Sequence, residues 1–177
     1  NECFKNLSSL KSIKIISKNI QLERNSFEGC KNLNSISFIS EMRLIIGDNC
    51  FYNNTRIVHI ELEGNIIEIG GHCFNNCTSI RALNLTCNDR ITLGNNAFEC
   101  CTNINNILVL AENKFTAGDH CFLNANNIIN VQITSKEVLL NDFCFSKCSR
   151  LKTFSILNGE NVSFKNKIFD SCELLTT

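Results

Sequence analysis

The apolar positions of this chain recur at a fixed distance. Phenylalanine stands at Phe4, Phe27, Phe51, Phe74, Phe98, Phe122, Phe145 and Phe169, at intervals of 23 or 24 residues. Such a period marks an array of one small unit, in which each copy buries its apolar face against the next. Two further patterns keep step within the unit. Nine and eleven residues after each phenylalanine come Ile13/Ile15, Ile36/Phe38, Ile60/Leu62, Leu83/Leu85, Ile107/Val109, Val131/Ile133 and Phe154/Ile156. They alternate with polar neighbours, as a strand with one buried face requires, and copies running the same way pair in parallel. A second alternating pair lies seven and five residues before phenylalanine, from Ile20/Leu22 through Ile67/Ile69 to Val162/Phe164, and predicts a second short strand.

Glycine follows that pair at Gly47, Gly70, Gly94 and Gly118, a residue suited to positive φ or to close backbone approach. Between this turn and the main strand stands a block such as Cys73-Phe74-Asn75-Asn76-Cys77-Thr78-Ser79-Ile80. Its apolar residues run i, i+1, i+4, i+7, which predicts one or two helical turns, partly 3₁₀, held by packing.

These units resemble the BspA-like class of leucine-rich repeats, whose signature runs roughly A/C-F-x-x-C-x-x-L-x-x-I-x-I and then V/I-x-x-I-G. Residues 73–85 and 144–156 match it well, and the resemblance covers essentially the whole chain. It implies an α/β fold: a right-handed leucine-rich-repeat solenoid of about seven turns of 23–24 residues. One face would carry a parallel sheet, and short helical or 3₁₀ turns and a second short strand would lie elsewhere. The family is associated with microbial and protist surface proteins that bind or adhere. The chain departs from it in having no proline, and in placing Leu7, Asn54 and Ala125 three residues after the phenylalanine.

Composition narrows the functions open to such an array. Seventeen basic and seventeen acidic residues cancel, and no Lys/Arg stripe stands out, so nucleic acid is not an expected partner. No apolar run approaches the ~20 residues that span a bilayer, so this segment is not expected to insert in a membrane. Residues 1–177 read as a single solenoid domain. The chain opens at Asn1-Glu2-Cys3-Phe4 and stops at Leu174-Leu175-Thr176-Thr177. Neither end supplies a polar cap, which predicts a window from a longer array with further repeats of the same chain at both ends.

Ten of the twelve cysteines fall in two columns. Cys3, Cys50, Cys73, Cys121 and Cys144 precede the phenylalanine, and Cys30, Cys77, Cys101, Cys148 and Cys172 follow it by three. Other units put Ser26, Ala97 or Ala125 in these places, so the columns ask for small buried residues, and thiol serves as a small hydrophobe. Zinc needs four converging ligands, whereas the pairs Cys73/Cys77 and Cys144/Cys148 stand three repeats apart. Neither a metal nor a cofactor is expected. Cys87 and Cys100 lie outside the two columns and are the expected exposed thiols; whether they are free or bonded to each other stays open. Asn-x-Ser/Thr triplets begin at Asn6, Asn53, Asn76, Asn84 and Asn161. Chance yields roughly four in a chain this rich in asparagine, serine and threonine, so they decide nothing.

Candidate chemistry is sparse. His72 and His120 stand two residues before a phenylalanine, where other units carry asparagine, and read as surface turn residues. His59 shares the outward face of its strand with Glu61 and Glu63; the plain reading is a solvated strand face, and catalysis is not expected. The outward columns of the main sheet supply the candidate binding residues: His59, Glu61, Glu63, Asn84, Thr86, Asn106, Leu108, Leu110, Asn130 and Gln132. This face lacks the Trp, Tyr and Arg that anchor tight interfaces, which suits a weak multivalent contact or a polar, carbohydrate-like ligand. The expected function is a non-catalytic protein-interaction or adhesion module, with a protein or glycan ligand, extracellular or at a cell surface. Competing readings are a structural spacer or assembly segment, and a cytoplasmic scaffold.

Overall fold

Each phenylalanine of the ladder sits between two residues of left-handed backbone, and that pair shapes the unit. In the computed structural model, which describes residues 2–176, Phe74 lies between His72 (φ 52°) and Asn76 (φ 61°), and Phe98 between Asn96 (φ 58°) and Cys100 (φ 59°). A right-handed helix cannot pass through such a residue. The block expected to be helical is therefore a series of turns, and no α- or 3₁₀-helix occurs among the described residues. The fold is all-β rather than α/β. Alternate N–H groups of the block donate to the next layer: His72 to the carbonyl of Asn95 (2.9 Å), Phe74 to Ala97 (2.8 Å) and Asn76 to Glu99 (2.9 Å). Groups between them close local turns, as Cys77 N–H does on the Phe74 carbonyl at 3.1 Å. Asparagine tolerates left-handed backbone better than most residues, and Asn6, Asn25, Asn49, Asn53, Asn76, Asn96 and Asn124 fill these columns.

Both predicted strands form in every layer. In the first four they run as one: β1 (Ser12–Leu22), β2 (Ser35–Ile46), β3 (His59–Ile69) and β4 (Ala82–Leu93). Beyond β4 they separate into β5 (Asn106–Ala111) and β6 (Lys114–Ala117), β7 (Asn130–Thr134) and β8 (Glu137–Leu140), then β9 (Thr153–Leu157) and β10 (Asn161–Phe164). All pairs are parallel, in the order β1-β2-β3-β4-β5-β7-β9, with β6, β8 and β10 continuing a second path from β4. The chain thus coils as a parallel-sheet solenoid of the right-handed type, the hand that parallel crossovers nearly always take. Counted from strand to strand it makes about six turns rather than the seven expected, because Phe169 is followed by no further strand among the described residues.

The alternation of 23 and 24 residues has one structural location. Between β1 and β2 the register begins at Ser12↔Ser35 and continues, after a shift, at Ile20↔Leu44. Between β2 and β3 it runs from Ser35↔His59 to Leu44↔Ile67, again changing at the elbow that joins main and second strand. Every change of length is absorbed there, so the turns and both strands superpose layer on layer.

Inside the coil the ladder phenylalanines form one column of near-parallel rings, with centroids 4.9–6.1 Å apart and planes within 3–20°. The five rings from Phe51 to Phe145 are fully buried, whereas Phe4 is half exposed. The glycine column has a different cause from the φ requirement considered for it. Gly47, Gly70, Gly94 and Gly118 have no positive φ, but a Cβ on each would lie 2.6–2.7 Å from a backbone nitrogen of the preceding layer. These turns nest too closely for a side chain. Gly94→Ala, whose methyl would meet the Gly71 nitrogen at 2.6 Å, should lower stability by roughly 1–3 kcal/mol in urea unfolding. Gly71→Ala meets nothing nearer than 3.4 Å and should unfold close to the parent.

Candidate functional site

Strand alternation sends His59, Glu61 and Glu63 of β3, Asn84 and Thr86 of β4, Asn106 of β5, and Asn130 and Gln132 of β7 to the exposed side of the sheet. Leu108 and Leu110 of β5 point the same way and are half-buried. Register sets Asn84 beside Leu108, Leu108 beside Gln132, and Glu63 beside Thr86. Asn130 donates to Asn106 Oδ1 at 2.8 Å and accepts from the Thr153 hydroxyl at 2.7 Å, a polar ladder across three layers. The Ser37 hydroxyl donates to the Glu61 carboxylate. His59 and the two glutamates lie in a row along β3, each about 7 Å from the next by strand rise. No hydrogen bond or ion pair joins His59 to either carboxylate, and Glu63 has no side-chain partner among the described residues.

The face formed by the second strands has the opposite character. Arg43, Glu68 and Arg90 form a chain of ion pairs across β2, β3 and β4, at 3.2 and 3.7 Å. Lys114 and Glu137 pair across β6 and β8 at 3.3 Å. Charges there are matched within the molecule. Charges on the main sheet are left to the solvent.

The thiols have a use that their size alone does not reveal. Three residues after five of the phenylalanines, the Sγ–H donates to the carbonyl of the phenylalanine one layer back: Cys30 to Phe4 (3.0 Å), Cys77 to Phe51 (3.2 Å), Cys101 to Phe74 (3.1 Å), Cys148 to Phe122 (3.4 Å) and Cys172 to Phe145 (3.1 Å). Asn54 makes the same bond through Nδ2 to Phe27 (2.8 Å), but its Oδ1 is buried with no partner. Burial pushes the Cys50 and Cys77 thiols up to about 12, and those of Cys73, Cys101, Cys144 and Cys148 also rise well above the usual range. These groups stay protonated, which keeps Cys77, Cys101 and Cys148 as donors rather than thiolates.

Cys87 corrects an expectation. It is 6% exposed, because it occupies a third column of small residues at the elbow, in register with Gly64 and Ala111. The constant offset of Ser40, Gly64, Cys87, Ala111 and Ser135 from their phenylalanines was visible in the sequence. Cys100 is half-buried in a turn column, and both thiols are free.

His72 and His120 are turn residues as expected, each with left-handed backbone. His120 stacks on Phe143 with centroids 5.1 Å apart and planes 5° apart, and the Lys167 ammonium lies 5.6 Å from the Phe143 ring. Three of the Asn-x-Ser/Thr asparagines, Asn6, Asn53 and Asn76, serve the left-handed columns, and Asn76 spends its amide on Asn53 Oδ1 at 2.9 Å. Among the described residues no helix is long and apolar enough to cross a membrane, and no group of His, Cys, Asp or Glu is arranged to hold a metal ion.

Comparison with known proteins bears on the architecture. A family model described as the BspA type leucine rich repeat region matches in six copies over residues 1–115 and 44–176. The crystal structure of the T. pallidum leucine rich repeat protein TpLRR superposes with a TM-score of 0.69, at 22% identity, over 89% of this chain and 72% of that one. A leucine-rich repeat protein from Bacteroides ovatus ATCC 8483 is 18% identical over 98% of this chain and 61% of its own, with a TM-score of 0.34. No curated protein matches.

Two outcomes follow from the thiol geometry. Asn54→Cys keeps the donor and removes the orphaned oxygen, so it should raise stability by about 1 kcal/mol in chemical denaturation; a loss would refute the donor role. With a chromogenic thiol reagent, native protein should react at the exposed Cys3 and at the half-buried Cys100 and Cys172. Cys50, Cys73, Cys77, Cys101, Cys144 and Cys148 should react only on unfolding, as read by peptide mass spectrometry.

Proposed function

The chain belongs to the BspA-type leucine-rich repeat family, and from that membership we propose that it is a non-catalytic interaction module working through the exposed face of its main sheet. One observation carries the reading: this is the face whose side chains vary from layer to layer and whose charges have no ion-pair partner among the described residues. The inward columns of the strands are apolar throughout, and the second-strand face neutralises its own charges. The main sheet instead presents Lys14, Ser37, Glu61, Asn84, Leu108, Gln132 and Ser155 at one equivalent position. Seven strands at ~4.8 Å make a surface on the order of 30 Å long, enough for several weak contacts acting together.

We assign the module to the cell surface or the extracellular space. That setting rests on the family's association with surface proteins. Fluorescently labelled chain, scored for retention on a panel of cell surfaces, tests the face directly. The combined variant Glu61→Lys, Glu63→Lys and Leu108→Arg should lose about tenfold or more in retention. Lys31→Glu, on the turn side, should lose none. Equal retention by parent and both variants would make the array a spacer.

A further inference from the structure

The main sheet is not paired along its whole length. Between β3 and β4 the register pairs begin only at Glu63↔Thr86, and residues 59–62 and 82–85 have none. The same stretches are paired on their other sides, Ile36 with Ile60 and Leu83 with Ile107. At the foot of other strands an N–H reaches the carbonyl of the layer before: Val58 to Asn34 (2.9 Å), Asn105 to Arg81 (2.8 Å), Ile129 to Asn105 (2.7 Å) and Lys152 to Ile129 (2.8 Å). No such bond joins Arg81 to Val58 among the described residues. The opening is confined to the sheet, because the Phe51 and Phe74 rings of the same two layers stay 5.1 Å apart.

The opening changes what this surface offers. Ile60 belongs to the inward column, where Ile36, Leu83 and Ile107 are at most 3% exposed, yet Ile60 is only half-buried. With Val58 it floors an open depression of about 550 Å³, rimmed by His59, Glu61, Arg81 and Asn84. Arg81 has neither an ion-pair nor a side-chain hydrogen-bond partner among the described residues. It enters from the strand foot, outside the columns read as the binding face, and supplies the anchor type that those columns lack.

We propose that this opening docks an extended peptide segment of a partner protein. One apolar side chain of the peptide rests on Ile60 and Val58. An acidic residue on one side of it meets Arg81, and a basic residue on the other meets Glu61 and Glu63. The peptide lies across the outer mouth of the opening and is held by its side chains rather than by strand addition, because β3 and β4 pair again at Glu63↔Thr86 and the rings of the two layers stay 5.1 Å apart. An extended chain sends every second residue to the same side, so the charged residues stand two places either side of the apolar one. The proposal rests on the main-sheet reading and narrows it to β3 and β4.

The test uses the full chain, isotope-labelled, titrated with acetyl-Lys-Ala-Leu-Ala-Asp-amide and followed by amide chemical shifts. Shifts should be confined to residues 58–62 and 81–85. Arg81→Gln and Glu61→Gln should each weaken binding about fivefold or more, and a peptide with Gln and Asn in place of Lys and Asp should bind more weakly. Shifts elsewhere, or affinity unchanged in Arg81→Gln, would overturn the proposal. So would maltotriose moving these amides when the peptide does not. Hydrogen exchange checks the opening without any ligand: the Arg81 amide should exchange about tenfold or more faster than those of Asn105 and Ile129, and equal protection would show the ladder closed. If Leu108→Arg abolishes cell retention while Arg81→Gln leaves it intact, this docking site is wrong and the main-sheet reading stands. Retention lost in neither removes both.

Discussion

Hydrogen bonds between parallel strands hold neighbouring layers at about 4.8 Å, and the ladder phenylalanines, with centroids 4.9–6.1 Å apart, stack at the spacing those bonds impose. Each residue column has to fit that gap. Rings fit by lying nearly parallel, which adds about 0.5–1.5 kcal/mol per pair beyond their area. Glycine fits where the turns nest. A thiol three residues after the ring fits because it reaches the carbonyl of the previous layer and asks for no more room. The left-handed residues flanking each phenylalanine serve the same end, turning the chain so that alternate N–H groups face the next layer.

Against so strict a frame, the places where the chain departs from it are the informative ones. The elbow absorbs every inserted residue, so length varies there without disturbing the ring column. The lapse between β3 and β4 is another departure, and it leaves an inward isoleucine partly open to solvent. A repeat protein whose interior is fixed by stacking keeps its freedom on the outer sheet, where a side chain can change without moving a layer. Recognition is expected to sit there, and the contrast between matched charges on one face and unmatched ones on the other agrees with it.

The cysteines show how a correct pattern can carry an incomplete reason. Substitution by Ala97, Ala125 or Ser26 implied a demand for small size. The structure adds a donor, since Asn54 differs from cysteine in shape yet makes the same bond to a phenylalanine carbonyl. A weak Sγ–H donor that leaves no oxygen behind is suited to a dry column where asparagine strands one.

The sequence alone determined the period, the parallel pairing and the inward and outward sides of both strands, because side-chain alternation is a local property that survives any packing. Membership of a repeat family followed from the same register. The helical block was misread because turns broken by left-handed residues share the i, i+4, i+7 spacing of a helix; the asparagines at Asn53, Asn76 and Asn124 were the available signal. Cys87 was misplaced for want of one more column. Only the tertiary structure decided that Ile60 is partly exposed beside Arg81. In sequence Ile60 is indistinguishable from Ile36 or Ile107, since whether two strands close depends on how whole layers stack and on no residue within one of them.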